Sequence, residues 1–216
     1  MWGQPPSAVR QHAPRTACII LNPMRPILLL LLLAATTQAQ SPPTSSSSKH
    51  TTPKPPIEGE LNNNLYRNAF FGFTCKVPFG WVDRTEEMNE GTNSDSIVLL
   101  ATFERPPDAA ADTVNSAIVI AAEKMPKASK DTPAAAFDAV TEAATHQGFK
   151  ADADPYQFTM GLRKAVRGDF TRTTGKLTMH QSSLEILDKG YALTFTFIAS
   201  TEEDIEPLID NLTFGK

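Results

Sequence analysis

The sequence has two cysteines, Cys18 and Cys75, and the neighbours of Cys75 argue against a reactive role. Cys75 stands two residues from Phe73 and two from Val77. In an extended chain these three side chains share one face, and that face is apolar. A cysteine in such a place behaves as a small hydrophobic residue. We therefore expect Cys75 to lie in the core; a reactive thiol or a bridge to another chain is the alternative.

Histidines and paired carboxylates could act as acids, bases or metal ligands. From residue 57 onward the only histidines are His146 and His180, far apart in the chain. A structural zinc site needs four ligands, usually cysteine and histidine. Asp152 and Asp154 supply two carboxylates, whereas a calcium loop needs six or more oxygens. We predict neither a metal site nor a cofactor.

The serines and glycines of the sequence do not follow catalytic patterns. Ser182 and Ser183 fall in a predicted strand, without the Gly-x-Ser-x-Gly turn that exposes a nucleophilic serine. The glycines are isolated, and no glycine-rich phosphate loop occurs. The sequence therefore predicts a protein that is not an enzyme.

Two aromatic residues are candidates for ligand binding. Tyr66 and Trp81 each offer a large apolar face with a polar handle, which suits stacking on a ligand. The alternative for Trp81 is that it closes one end of the folded domain.

The first segment of the chain predicts export. Residues 27–35 are an apolar run of nine, which follows Arg25 and precedes the small-residue site Thr37-Gln38-Ala39. A membrane-spanning helix needs about 20 apolar residues. The pattern favours a signal peptide over residues 1–39, cleaved after Ala39, with Met24 as the true start. An uncleaved anchor is the alternative; after cleavage no transmembrane span is expected.

Composition separates a linker from the folded domain. Residues 40–56 are rich in proline, serine and threonine, so they predict a disordered tail or tether. Residues 57–216 then form a single globular domain. Arg10, Arg15 and Arg25 precede residue 40, and the rest of the chain carries 17 basic against 24 acidic residues. This balance argues against a nucleic-acid partner.

The clearest element is a strand over residues 191–199, where Leu193, Phe195 and Phe197 alternate with smaller residues. Residues 200–203, Ser-Thr-Glu-Glu, match a capping box that begins at Ser200. The apolar spacing from Ile205 to Leu212 predicts a terminal helix, which Pro207 should kink.

The rest of the domain is predicted to consist of short strands, one helix and the loops that connect them. We predict strands at 71–77, 81–82, 97–104, 116–123, 156–160 and 163–173, and a polar loop at 86–96. We predict a helix at 134–147, capped by Asp131 or Thr132, and short hairpin loops at 173–176 and 188–190. The middle strand lies between these two hairpin loops. Its apolar residues change face between Met179 and Leu184, which predicts a β-bulge near residues 181–183.

Three passages together resemble the PsbP-like family. They are Tyr66-Arg67-Asn68 with Gly72-Phe73 and Val77-Pro78-Phe79-Gly80-Trp81, then Gly161-Leu162-Arg163-Lys164-Ala165, then Ala192-Leu193-Thr194-Phe195 with Phe214. The resemblance implies an α+β fold, an antiparallel β-sheet sandwiched by helices in an α/β/α sandwich. It also implies a noncatalytic accessory or binding protein. Photosynthetic members dock on a large membrane complex, and a eukaryotic relative binds a small GTPase.

We therefore expect an exported, noncatalytic accessory or protein-binding domain of the cell envelope, secreted or periplasmic, with a protein partner there. The alternative is a small-molecule carrier with a cleft between sheet and helix near Trp81.

Overall fold

The computed structural model describes residues 57–90, 92, 95–106, 113–126 and 132–215. The predicted signal peptide and linker, and the possible cap Asp131, lie outside these residues. Within them the chain forms twelve strands and three helices. The strands are β1 Glu60–Asn62, β2 Leu65–Asn68, β3 Phe73–Lys76, β4 Val82–Asp83, β5 Ser96–Phe103, β6 Ala117–Lys124, β7 Lys150–Ala151, β8 Tyr156–Met160, β9 Arg163–Thr174, β10 Leu177–Asp188, β11 Tyr191–Ala199 and β12 Leu212–Phe214, and the helices are α1 Thr85–Met88, α2 Pro133–His146 and α3 Glu202–Asp210.

The strands form two antiparallel sheets. A small sheet has the order β1-β2-β3-β12, and a large sheet has the order β4-β5-β6-β11-β10-β9-β7, with β8 also paired to β9. With three helices beside these sheets, the fold is α+β.

Local turn chemistry creates the meander from β8 to β11. Lys189 and Gly190 both have positive φ (51° and 80°), as the two-residue turn between β10 and β11 requires. Gly161 and Gly175 occupy the first position of the β8–β9 and β9–β10 turns, both with φ of 63°. Both hairpin loops predicted from the sequence are confirmed.

The β-bulge predicted in β10 is wrong. The register with β9 runs without interruption from Leu177 to Ile186. The apolar side chains change face instead: Met179 packs in the cluster around α2, whereas Leu184 and Ile186 pack in the cluster around α3. Because β10 is buried on both faces, neither face has to remain apolar throughout. The irregularity lies in β5, between Val98 and Leu100.

The two helices of the second half pack in different clusters. Successive residues of a strand face opposite sides of a sheet. Ala165 of β9 lies in the cluster that includes α3 and the small sheet, and Val166 lies in the cluster that includes Phe137 and Val140 of α2. Phe195, in the first cluster, makes edge-to-face contacts with Phe73 and Phe214.

The helix caps follow the sequence with one correction. The Thr132 hydroxyl accepts from Ala135 N and caps α2. The cap of α3 is Thr201 rather than Ser200: its hydroxyl accepts from Asp204 N at 3.2 Å and donates to the Asp204 carboxylate at 2.7 Å. The partner of the cap is therefore Asp204, at the third helical position, and not Glu203 as the sequence predicted.

The end of the chain differs from the prediction. Helix α3 includes Pro207 and stops at Asp210. Leu212 is buried as expected, but in strand β12, which pairs with β3. Five short elements were not predicted: α1, three of whose four residues fall in the expected polar loop, and β1, β2, β7 and β12. The β1–β2 turn uses Asn63 and Asn64, both with positive φ, a conformation that asparagine tolerates better than most residues.

Candidate functional site

A cleft of about 810 Å³ lies beside β5. We call the segment 57–59 together with β1 and β2 the first wall, and α1 with the lining residues that follow it the second wall. The first half of β5 forms the floor, and Lys124 and Tyr191 also line the cleft. Its parts come from four regions of the chain that are distant in sequence.

Hydrogen bonds of the Tyr66 and Asn68 side chains hold the first wall together. Tyr66 is only 2% exposed, and its hydroxyl accepts from Gly59 N at 3.0 Å and from Asn68 Nδ2 at 3.2 Å. Burial raises the pKa of Tyr66, while these two hydrogen bonds act in the other direction. The Asn68 amide also donates to Ile57 O at 2.8 Å. The two side chains therefore hold the segment 57–59 against the small sheet.

Gly59 allows the segment 57–59 to pack closely against β2. A Cβ at this position would lie 2.5 Å from the Tyr66 ring and 2.5 Å from Arg67 O. Any side chain larger than hydrogen would push the segment 57–59 away from β2. The position of the wall thus depends on a glycine.

The second wall also covers the outer edge of β5. The Asn89 side chain accepts from Val98 N through Oδ1 and donates to Val98 O through Nδ2, both at 2.8 Å. The Thr85 hydroxyl accepts from Ala101 N at 2.9 Å. Among the described strands, none pairs with this edge of β5 between residues 96 and 101. The side chains of Thr85 and Asn89 bond some of its backbone groups instead. Exposed strand edges need such cover, because unpaired backbone groups recruit other strands.

The cleft combines an apolar surface with a mainly acidic rim. Apolar lining comes from both walls and from the floor, including Leu61, Ile97 and Leu99. Four carboxylates and one ammonium group accompany it: Glu58, Asp83, Glu86, Asp95 and Lys124. Such a surface suits a partner that has both apolar and basic groups.

The structure separates the two predicted ligand-binding residues. Tyr66 lies in the wall of the cleft, where its polar handle is engaged within the protein. Trp81 does not line the cleft; it is half-buried and packs against the large core cluster. Ligand binding by either residue stays a prediction.

Cys75, His146 and His180 do not line the cleft. Cys75 is fully buried, as expected, and burial raises the pKa of its thiol to about 12. His146 is exposed at the end of α2, with Nε2 3.5 Å from Glu142. His180 Nδ1 lies 3.4 Å from the Thr171 hydroxyl, which donates to Asp152 at 2.9 Å. Within the described part of the chain, no group of three or more His, Cys, Asp or Glu residues is arranged to hold a metal ion.

The sequence did not reveal the cleft. Its polar residues, such as Asn89 and Asp83, lie in a stretch with no catalytic spacing, and pairing to β5 brings them together. The one available signal was the run of acidic and amide residues at 83–95. Of the helices that the described residues form, none has the length and hydropathy that crossing a membrane requires.

No protein-family model and no curated protein matches this chain. Solved structures of other proteins do match it. Cyanobacterial PsbP (CyanoP) from Synechocystis sp. PCC 6803 is 9% identical, with a TM-score of 0.51 over 79% of this chain and 98% of that chain. LpqN, described as involved in cell envelope biogenesis of Mycobacterium tuberculosis, is 14% identical, with a TM-score of 0.39 over 67% of this chain and 83% of that chain. At such low identity the similarity to CyanoP concerns the fold alone. This chain has a PsbP-like fold.

Proposed function

We propose that this protein is an exported, noncatalytic accessory domain of the cell envelope that binds a protein partner through the cleft beside β5. The observation that carries the proposal is the cleft itself, which joins apolar lining to a mainly acidic rim. Mixed surfaces of this kind are typical of interfaces between proteins that also exist separately. The PsbP-like fold is compatible with this role but does not supply it, since one fold hosts many functions.

The proposal includes the domain organisation. The signal peptide over residues 1–39 directs export, residues 40–56 form the linker, and residues 57–216 form the domain. We describe that domain as an α/β/α sandwich, with α2 and α3 on opposite faces of the large sheet. The exported protein should begin at Gln40, and N-terminal sequencing of the mature protein checks this. A mature form that retains the apolar run at 27–35 would show an anchored protein instead.

Site-specific photocrosslinking tests the partner. Glu86 lines the cleft and is exposed, whereas Glu142 is exposed on α2, outside the residues that line the cleft. A photoreactive residue at position 86 should give one protein adduct in the native envelope, and the same residue at position 142 should not. Excess unlabelled protein should suppress the adduct. Absence of an adduct at position 86, or equal labelling at both positions, would count against the proposal.

The volume of the cleft favours one second candidate, a small-molecule carrier. Ligand pockets occupy roughly 300–1,000 Å³, and the cleft, at about 810 Å³, falls in that range. A ligand there would lie against β5 and the Tyr66 wall rather than near Trp81. Native mass spectrometry of the exported protein should then show a stoichiometric nonprotein adduct that denaturation releases. A protein of bare mass, together with a photocrosslinked partner, would leave the first proposal standing alone.

A further inference from the structure

The two edges of the large sheet differ in how their backbone N–H and C=O groups are covered. At one edge, Asn89 and Thr85 cover the backbone of β5. At the other, β8 pairs with β9 on its inner side and has no strand on its outer side among the described residues. Its sequence, Tyr-Gln-Phe-Thr-Met, contains neither a charge nor a proline. Natural proteins usually protect edge strands with those residues, with bulges or with covering segments.

The hairpin geometry shows which backbone groups of β8 point outward. The β8–β9 loop has two residues, Gly161 and Leu162, and such a loop is closed by a hydrogen-bonded pair. Met160 and Arg163 form that pair, so Phe158 and Tyr156 also bond to β9. The N–H and C=O groups of Gln157 and Thr159 therefore point away from the sheet. Two residues of β8 are ready to bond another strand.

We propose that β8 pairs with β8 of a second copy of this chain, antiparallel, about a two-fold axis at Phe158. Gln157 of each copy then faces Thr159 of the other, and these residues exchange four backbone hydrogen bonds. Tyr156 faces Met160, a sulfur–aromatic pair, and Phe158 faces its own symmetry mate. Each cross-strand pair is compatible, as an isologous interface requires.

The charges that flank β8 favour a second copy over an unrelated strand. Asp154 precedes β8, and Lys164 follows its hairpin; both are exposed. Antiparallel self-pairing brings the acidic end of one copy near the basic end of the other, twice by symmetry. In the same register, Gly161 and the 93% exposed Leu162 lie opposite Pro155 and Asp154 of the second copy. The cleft lies at the opposite edge of the sheet, so this proposal does not depend on the proposed function.

Sedimentation equilibrium of the full chain over a range of concentrations tests the pairing, and a reversible dimer is expected. Thr159→Pro removes one outward N–H from each copy and leaves the bonds to β9 in place. It should weaken the dimer roughly ten- to a hundred-fold, since each lost bond contributes on the order of a factor of ten. Thr159→Val keeps the backbone donor and should keep the dimer. A monomer at all concentrations, or a folded Thr159→Pro variant with unchanged association, would overturn the proposal.

Disulfide trapping tests the register. The two Phe158 residues face each other across the axis, so Phe158→Cys should form a disulfide-linked dimer on mild oxidation. In Tyr156→Cys the two thiols lie four residues apart along the strands, roughly 14 Å, which no disulfide spans. Cys75 is fully buried and should not compete, and Cys18→Ser in both variants removes the other native cysteine. A folded Phe158→Cys variant that stays monomeric, or equal trapping at position 156, would show that the register is not the proposed one.

Discussion

Replacing Phe195 by alanine should destabilise the protein more than any exposed aromatic replacement. Phe195 is fully buried in the middle of β11. Its ring centroid lies 5.2 Å from that of Phe73 and 5.9 Å from that of Phe214, and both contacts are edge-to-face. The ring thus joins the large sheet to two strands of the small sheet. Its loss should loosen the contact between the two sheets.

The expected magnitude follows from the area and the cavity. A buried phenylalanine removes about 150–250 Å² from water, which corresponds to about 4–6 kcal/mol at 25 cal/mol per Å². Measured Phe→Ala changes in cores cost about 3–5 kcal/mol, because the surroundings partly relax. For a domain of this size, that loss lowers the melting temperature by about 6–20 °C.

Urea unfolding followed by circular dichroism measures this loss, and the chain supplies a matched control. Phe79 is 94% exposed, so Phe79→Ala should change the free energy of unfolding by less than about 0.5 kcal/mol. The two variants delete the same side chain at opposite extremes of burial. If the Phe195→Ala midpoint coincides with that of Phe79→Ala, the assigned face of β11 is wrong.

Three further predictions concern single side chains. Asn68→Ala should lower the free energy of unfolding by about 1–3 kcal/mol, because it leaves Ile57 O and Phe71 N without their side-chain partner; Asn62→Ala, at an exposed strand position, is the control and should have little effect. Thr201→Ala should cost about 0.5–2 kcal/mol through loss of the α3 cap, and an equal cost for Ser200→Ala would contradict the assignment of the cap. Stability should also fall as pH rises above about 9, because the unfolded state loses the Cys75 proton near its ordinary pKa of 9.0 while burial keeps the folded thiol protonated up to about 12. Below pH 9 the thiol is protonated in both states and no stability is lost; between about pH 9 and 12 the free energy of unfolding should fall by up to about 1.4 kcal/mol per pH unit. Urea midpoints of the native protein and of Cys75→Ala at several alkaline pH values measure the difference, and parallel pH curves would contradict the burial of Cys75.

The second half of the domain could be predicted because its signals are local. Alternation marks β11, glycine marks the turns before β9 and β10, and Thr132 with Pro133 marks the start of α2. Each of these features is decided by residues within a few positions of one another. The same local reasoning placed Leu212 in a helix, since its spacing continues that of Leu208. Pairing with Cys75, more than 130 residues earlier in the chain, makes it a strand residue instead.

The cleft could not be predicted, because it depends on contacts between distant segments. The Asn89 side chain can bond the backbone of β5 only because the fold brings Val98 next to it. The polar handle of Tyr66 suggests ligand binding, but its hydroxyl accepts hydrogen bonds from Gly59 N and Asn68 Nδ2 within the protein. A side-chain type indicates which bonds are available, whereas the fold decides which partner receives them.

The motifs behind the PsbP-like resemblance converge on the joint between the two sheets. Arg163 donates to Phe71 O, forms an ion pair with Asp188, and lies 4.9 Å from the centre of the Phe214 ring. Gly72 N donates to Asn68 O in the same turn. These residues hold β9 and β10 against the small sheet, whereas Tyr66, of the first motif, lines the cleft. The resemblance therefore predicts how the sheets meet, whereas the second wall of the cleft and strand β8 contain none of its motif residues.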